Sequence, residues 1–106
     1  MLLVHREDAS VLLVQRPPSG IWGGLWSPPE YASIGDADAA MPGAAEGLQL
    51  PAVDHVFTHF DLRIQPLLCA APEGWQPEGL WYNARRPARI GLPAPVAALL
   101  EGLEIP

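Results

Sequence analysis

Lysine is absent from this chain of 106 residues, and cysteine occurs once. All six cations are arginines, set against 12 acids, so the formal net charge is −6. Phosphate neutralisation supplies most non-specific affinity for nucleic acid, so this balance excludes strong DNA binding by the domain alone. The charge is uneven. Residues 1–54 carry two arginines against seven acids, a net −5; residues 55–106 carry four arginines against five acids, a net −1. An anionic partner therefore fits the second half better, where Arg85, Arg86 and Arg89 cluster. The plain reading of that cluster is a solvated loop.

The single cysteine, Cys69, cannot form an internal disulfide, which favours a reducing compartment. It lies in the apolar run "PLLCAA" and reads as a buried small residue. No apolar run approaches the ~20 residues of a membrane-spanning helix. The start, "MLLVHRED", has neither the basic opening nor the apolar core of a signal peptide. It opens abruptly, as a strand does, which suggests a longer parent chain.

What is present suits one small folded domain. Hydrophobic residues make up 49% of the chain. A domain of this size buries roughly two-thirds of the surface its unfolded chain exposes. "LLVHRED" and "SVLLVQRP" read as two strands of a hairpin that turns at Glu7–Asp8. "PPSGIWGGLWSPPE" is a loop, with Trp22 and Trp26 anchoring it to the core. Residues 36–48 read as a helix broken at Pro42–Gly43, with Asp36 or Asp38 as its cap. Residues 52–71 read as one long strand or a hairpin. Val56, Phe60, Leu62 and Ile64 share one parity there; His55, Phe57, His59 and Asp61 share the other. A loop at residues 72–79 and a short strand end at "LWYN" follow. The last helix spans about Pro93 to Leu103, opens on Pro93 or Pro95, and carries an apolar stripe of Val96, Leu99, Leu100 and Leu103. The order predicts an α+β domain with helices packed on a mixed sheet.

The stretch "HVFTHFDL", His55 to Leu62, is the densest in chemistry. A shared metal ion fails on distance. On a strand His55 and His59 stand roughly 13 Å apart, far beyond two ~2 Å bonds to one ion. Nucleophilic catalysis fails on direction: Thr58 and His59 are strand neighbours and point to opposite faces. From the residues alone, the stretch is a strand with half-exposed histidines.

"GGLWSPPE" adds a second clue. Gly24 and Glu30 have the spacing that opens the Nudix signature of pyrophosphohydrolases. That signature continues with an arginine and further glutamates that bind magnesium. Here the corresponding positions are Asp38–Ala39 and Pro42–Gly43. The chain therefore looks like a Nudix fold without Nudix chemistry.

"VLLVQRPPSGIWGGLWSPPE", "HVFTHFDL", "LWYN" and "GLPAPVAALL", in this order, resemble the C-terminal domain of the MutY adenine DNA glycosylases. The resemblance covers nearly the whole chain. It implies a Nudix-like α/β/α sandwich with a mixed sheet, a single domain over residues 1–106, and a longer parent. It implies a role in recognising 8-oxoguanine opposite adenine in double-stranded DNA, together with an N-terminal glycosylase domain. The family's recognition loop reads Phe-Ser-His, which matches Phe57, Thr58 and His59. Threonine keeps the hydroxyl and adds a methyl that restricts χ1. Three roles on three adjacent side chains require a turn or bulge, so the strand should break at these residues.

By the same resemblance, the catalytic carboxylate and a 4Fe-4S cluster belong to the helical N-terminal domain. This domain would then hold no cofactor and no catalytic residue. The implied setting is the bacterial cytoplasm and its nucleoid, with no membrane. Two rival readings stand beside it: an active Nudix hydrolase of oxidised nucleoside triphosphates, and a protein-interaction module without base contact.

Overall fold

Six short strands form one mixed sheet in a computed structural model that describes residues 1–57 and 61–105. In chain order the elements are β1 (Leu2–His5), β2 (Val11–Gln15), β3 (Trp26–Ser27), α1 (Ile34–Ala40) and a 3₁₀ turn (Ala44–Glu46). Then come β4 (Leu48–Gln49), β5 (Val53–Val56), β6 (Asp61–Ile64), β7 (Leu67–Ala70), β8 (Leu80–Tyr82) and α2 (Ala94–Glu101). β1 pairs antiparallel with β2 and parallel with β7, and β4 pairs antiparallel with β7. β2 also carries β3 and β8, both antiparallel. β5 and β6 form a separate two-stranded sheet.

Strand alternation divides the core in two. Leu2, Val4, Leu12, Leu67 and Cys69 pack with Ala37, Met41 and Ala44 of α1 and the turn beyond it. Leu3, Val11, Leu13, Leu68 and Tyr82 pack with Val96 and Leu100 of α2. The parallel register puts Leu2 beside Leu67 and Leu3 beside Leu68, so the even residues of β1 share a layer with the odd residues of β7, and the odd with the even. The result is the expected α+β sandwich with one helix on each face of a mixed sheet.

Local chemistry sets the element ends. The β1–β2 hairpin turns at Glu7–Asp8 as expected. There Ser10 N–H donates to Asp8 Oδ1 (3.0 Å), and this bond holds the Asp8 carboxyl below the usual carboxylate range. Helix α1 begins earlier than the sequence suggests. Its cap is Ser33, whose hydroxyl accepts from the Asp36 N–H (3.1 Å), not Asp36 or Asp38. Asp36 sits instead in the first turn, where its charge suits the helix dipole. Asp38 accepts from the Ala45 N–H (3.0 Å) and ties down the 3₁₀ turn. The break at Pro42–Gly43 is as expected: Met41 is already extended, and Gly43 is left-handed at φ 94°. Among the described residues, no helix is long and apolar enough to cross a membrane.

Candidate nucleic-acid interface

Residues 52–71, read as a long strand or a hairpin, are a hairpin followed by a sheet strand. Pro66 is the divider. It has no N–H for a ladder, and its carbonyl accepts from Leu50 (3.0 Å) while β7 starts at the next residue. In the hairpin, Val53 faces Ile64, Asp54 faces Arg63, His55 faces Leu62 and Val56 faces Asp61. Each pair joins an even residue to an odd one. The parity grouping read from the sequence is therefore corrected, because it treated the strand as uninterrupted. Val53, His55, Phe57, Leu62 and Ile64 turn inward, whereas Val56 is 74% exposed, opposite Asp61.

β5 ends at Val56, directly before Phe57, so the strand does break where the recognition reading requires. Thr58 and His59, the other two residues of that reading, lie outside the described residues. Phe57 is half-buried, with its ring centroid 4.6 Å from that of His55 in an edge-to-face contact.

The third ring of this cluster comes from the Pro/Gly loop. Trp22 lies 5.8 Å from Phe57 and 6.0 Å from His55, centroid to centroid. These separations are typical of favourable aromatic pairs. The sequence reading sent both loop tryptophans to the core. Trp26 does pack against the α2-side cluster, but Trp22 meets the hairpin instead. No sequence signal joins positions 22 and 57, because the contact is made only once loop and hairpin are both folded.

Several bonds close this loop. Arg16 N–H donates to Leu25 O (2.8 Å), Gly24 N–H to Pro17 O (3.0 Å) and Leu25 N–H to Trp22 O (3.0 Å). The Gln15 side chain donates to Gly24 O (3.1 Å). Arg16 is the hub. Its Nε donates to Ile21 O (3.0 Å), its Nη1 reaches Glu30 Oε1 at 2.9 Å, and its guanidinium lies 5.8 Å from the Trp22 ring centroid. Glu30 also acts on the Met1 amino group, whose pKa burial lowers and this carboxylate partly restores.

A magnesium site of the Nudix type needs several hard oxygen donors on one ion. The residues here do not fit one. Glu30 is bonded to Arg16, Asp38 to the Ala45 amide, and Pro42–Gly43 offer no side-chain donor. Among the described residues, no three His, Cys, Asp or Glu side chains converge as a metal site. Nor does the chain fit an iron–sulfur cluster, which takes four thiolates. Cys69 is the sole cysteine, lies 3.6 Å from the Ala44 carbonyl, and burial pushes its thiol pKa up. Arg85, Arg86 and Arg89 are all exposed in the connection between β8 and α2, as the solvated-loop reading expects.

Comparison with known proteins agrees with this architecture. A family model described as the NUDIX domain matches residues 1–102. An adenine DNA glycosylase of Buchnera aphidicola subsp. Acyrthosiphon pisum (strain APS) is 40% identical over 55 residues, covering 47% of this chain. Only 16% of that protein's length is matched, so the chain spans a small part of it. A crystal structure of a Nudix hydrolase from M. smegmatis, RenU, superposes over 94% of this chain and 79% of that one, with a TM-score of 0.57 and 21% identity. That likeness speaks to the fold. With a family match running almost end to end and a sheet sandwiched between two helices, the chain belongs to the Nudix domain family, and an adenine DNA glycosylase is among its relatives.

Proposed function

We propose that this chain is the C-terminal lesion-recognition domain of a MutY-type adenine DNA glycosylase, which removes adenine mispaired with 8-oxoguanine. One observation supports the reading most. A separate two-stranded hairpin carries Phe57 directly beyond the end of β5, with Thr58 and His59 next in sequence.

The chemistry suits the task. Guanine presents an acceptor at N7 in the major groove. Oxidation turns N7 into a donor and adds a carbonyl oxygen at C8. The Thr58 hydroxyl accepts from the new N–H or donates to an oxygen by rotating its hydrogen. Phe57 wedges against the base stack, and His59 contacts a phosphate or the lesion. The net charge of −6 suits a division of labour in which the N-terminal domain supplies phosphate affinity. That domain also supplies the catalytic carboxylate and the 4Fe-4S cluster, so this one cleaves no bond by itself. The setting is the nucleoid in the bacterial cytoplasm.

In the full-length glycosylase, Thr58→Ala should lower the preference for excision opposite 8-oxoguanine over guanine about five- to tenfold, near the lower end of what one base-edge contact is worth. Single-turnover rates on the two duplexes measure it. Equal preference in mutant and parent would remove Thr58 from lesion reading.

The competing reading, nucleotide hydrolysis, is favoured by the fold alone. With magnesium and 8-oxo-dGTP the chain should give no turnover above buffer, because Glu30 is the only acid in place of the signature's glutamates. Robust magnesium-dependent release of pyrophosphate would overturn the proposal. The third reading, a protein-interaction module, fails if Thr58→Ala changes lesion preference as expected.

A further inference from the structure

Glu30 stands where a Nudix signature places its first glutamate, yet among the described residues no metal site converges on it. Its carboxylate is instead the foot of a chain of contacts. Glu30 holds Arg16 at 2.9 Å, Arg16 lies over Trp22 at 5.8 Å, and Trp22 touches Phe57 and His55 at 5.8 and 6.0 Å. We propose that Trp22 is the positioning residue for the end of β5, where it holds the His55 and Phe57 rings, and that Glu30 and Arg16 hold it in place. Its link to lesion discrimination rests on the recognition reading above; the contact chain itself does not.

Three observations carry this. First, among the described residues β5 and β6 pair with each other and not with the main sheet, and a two-stranded ribbon is marginal alone. Its lower end is seated by buried Ile64, whereas the His55 and Phe57 rings rest on Trp22. The end of β5 is then only as well aimed as the ring beneath it.

Second, Trp22 has φ 53°, in the left-handed region that a bulky side chain avoids. Such a backbone persists where the surroundings over-determine it. Here Leu25 N–H donates to the Trp22 carbonyl, and Arg16 Nε fixes the carbonyl of Ile21 just before it.

Third, Arg16 is committed. Its side chain is only 21% exposed, and it bonds at once to a backbone carbonyl and to a carboxylate while covering an indole face. A guanidinium within about 6 Å of a ring centroid attracts that ring. Removing Glu30 frees Arg16 to leave the indole without touching the core.

The test has two arms. In the 106-residue chain, whose two core clusters both close within it, the His55 and Phe57 ring protons report Trp22 through its ring current. Trp22→Ala should move both sets of resonances, Glu30→Gln should move them part of the way, and Trp22→Phe should keep them near the parent positions. Glu30 is exposed and Trp22 lies outside both clusters, so an unchanged melting temperature for Glu30→Gln serves as the folding control. Ring resonances unmoved in both Trp22→Ala and Glu30→Gln would overturn the proposal.

In the full-length glycosylase, Trp22→Ala should cut the preference for 8-oxoguanine over guanine about fivefold or more, the value of one base contact. Trp22→Phe should restore most of that preference. The loss should appear chiefly in the single-turnover rate opposite 8-oxoguanine, with a smaller fall opposite guanine. If Thr58→Ala lowers the preference and Trp22→Ala does not, Trp22 does not position the reading residues. If neither lowers it while the rings move, the contact chain stands and the recognition reading falls.

Discussion

Alanine at Gly79 should cost the fold about 3 kcal/mol or more, a large share of the ~5–15 kcal/mol that stabilises a small domain. Two independent effects act there. The residue has φ 138°, a conformation that L side chains rarely adopt. Forcing one into it costs on the order of 1–3 kcal/mol. A Cβ would also stand 2.5 Å from the Leu13 carbonyl oxygen and 2.9 Å from Leu12 Cδ1. That carbonyl belongs to β2, at the residue that faces Leu80 across the β2–β8 pair. It cannot retreat without disturbing the strand that also carries β1 and β3. Overpacking of this kind adds about 1–3 kcal/mol. Gly74 is the control. It has φ 74° with nothing within 4 Å of its Cβ position, so Gly74→Ala should cost only the backbone term, about 1–2 kcal/mol. Urea denaturation of the two variants separates the effects. Equal losses would mean that the approach to β2 is not what requires glycine at position 79.

The same geometry shows why parts of this fold are legible in its sequence and others are not. The β1–β2 hairpin is written in a short apolar run on each side of an acidic turn. The helix break is written in Pro42–Gly43, because proline constrains the residue before it and glycine accepts φ 94° after it. α2 is written in its apolar spacing, although it stops at Glu101 rather than Leu103, with the Gly102 N–H closing on Ala98. The α1 cap is less legible. Ser33, Asp36 and Asp38 all have the right chemistry, and the choice falls to Ser33 because Ile34 already enters the helix. The faces of β5 and β6 are illegible without the register of the reversal between them, which here sets odd residues of β5 opposite even residues of β6.

The candidate site divides in the same way. Phe57 is proposed as a recognition residue because it sits in a short motif, and β5 does end where that motif begins. Trp22 and Arg16 were not readable. Their part in the site depends on contacts across a loop whose path is fixed by backbone bonds rather than by pattern: Arg16 to Leu25, Gly24 to Pro17 and Arg16 Nε to Ile21. Glu30 misleads when read alone. Its spacing from Gly24 suggests a metal ligand, and only the 2.9 Å contact with Arg16 shows the carboxylate engaged elsewhere.

Gly23→Ala should damage stability and the site together, by about 2–3 kcal/mol and by loss of the Trp22 contacts. Gly23 carries no positive φ, so the argument is purely one of space. A Cβ there would lie 2.5 Å from the Pro18 carbonyl oxygen, 2.9 Å from its carbon and 3.2 Å from the Pro17 oxygen. All three are backbone atoms in a Pro-Pro segment, where each ring fixes φ and leaves little room to yield. The clash is relieved only by opening the loop. Opening it strains the Gly24–Pro17 bond and swings Trp22, one residue away, from Phe57 and His55. Gly20→Ala is the matched control in the same loop: φ 94°, and nothing within 4 Å of its Cβ position. It should cost about 1–2 kcal/mol for backbone strain and leave the ring contacts in place. Denaturant melts and the His55 and Phe57 ring resonances, measured on both variants, decide the matter. If Gly23→Ala keeps the parent ring resonances and is no less stable than Gly20→Ala, the tight turn at Pro17–Pro18 does not set the position of Trp22.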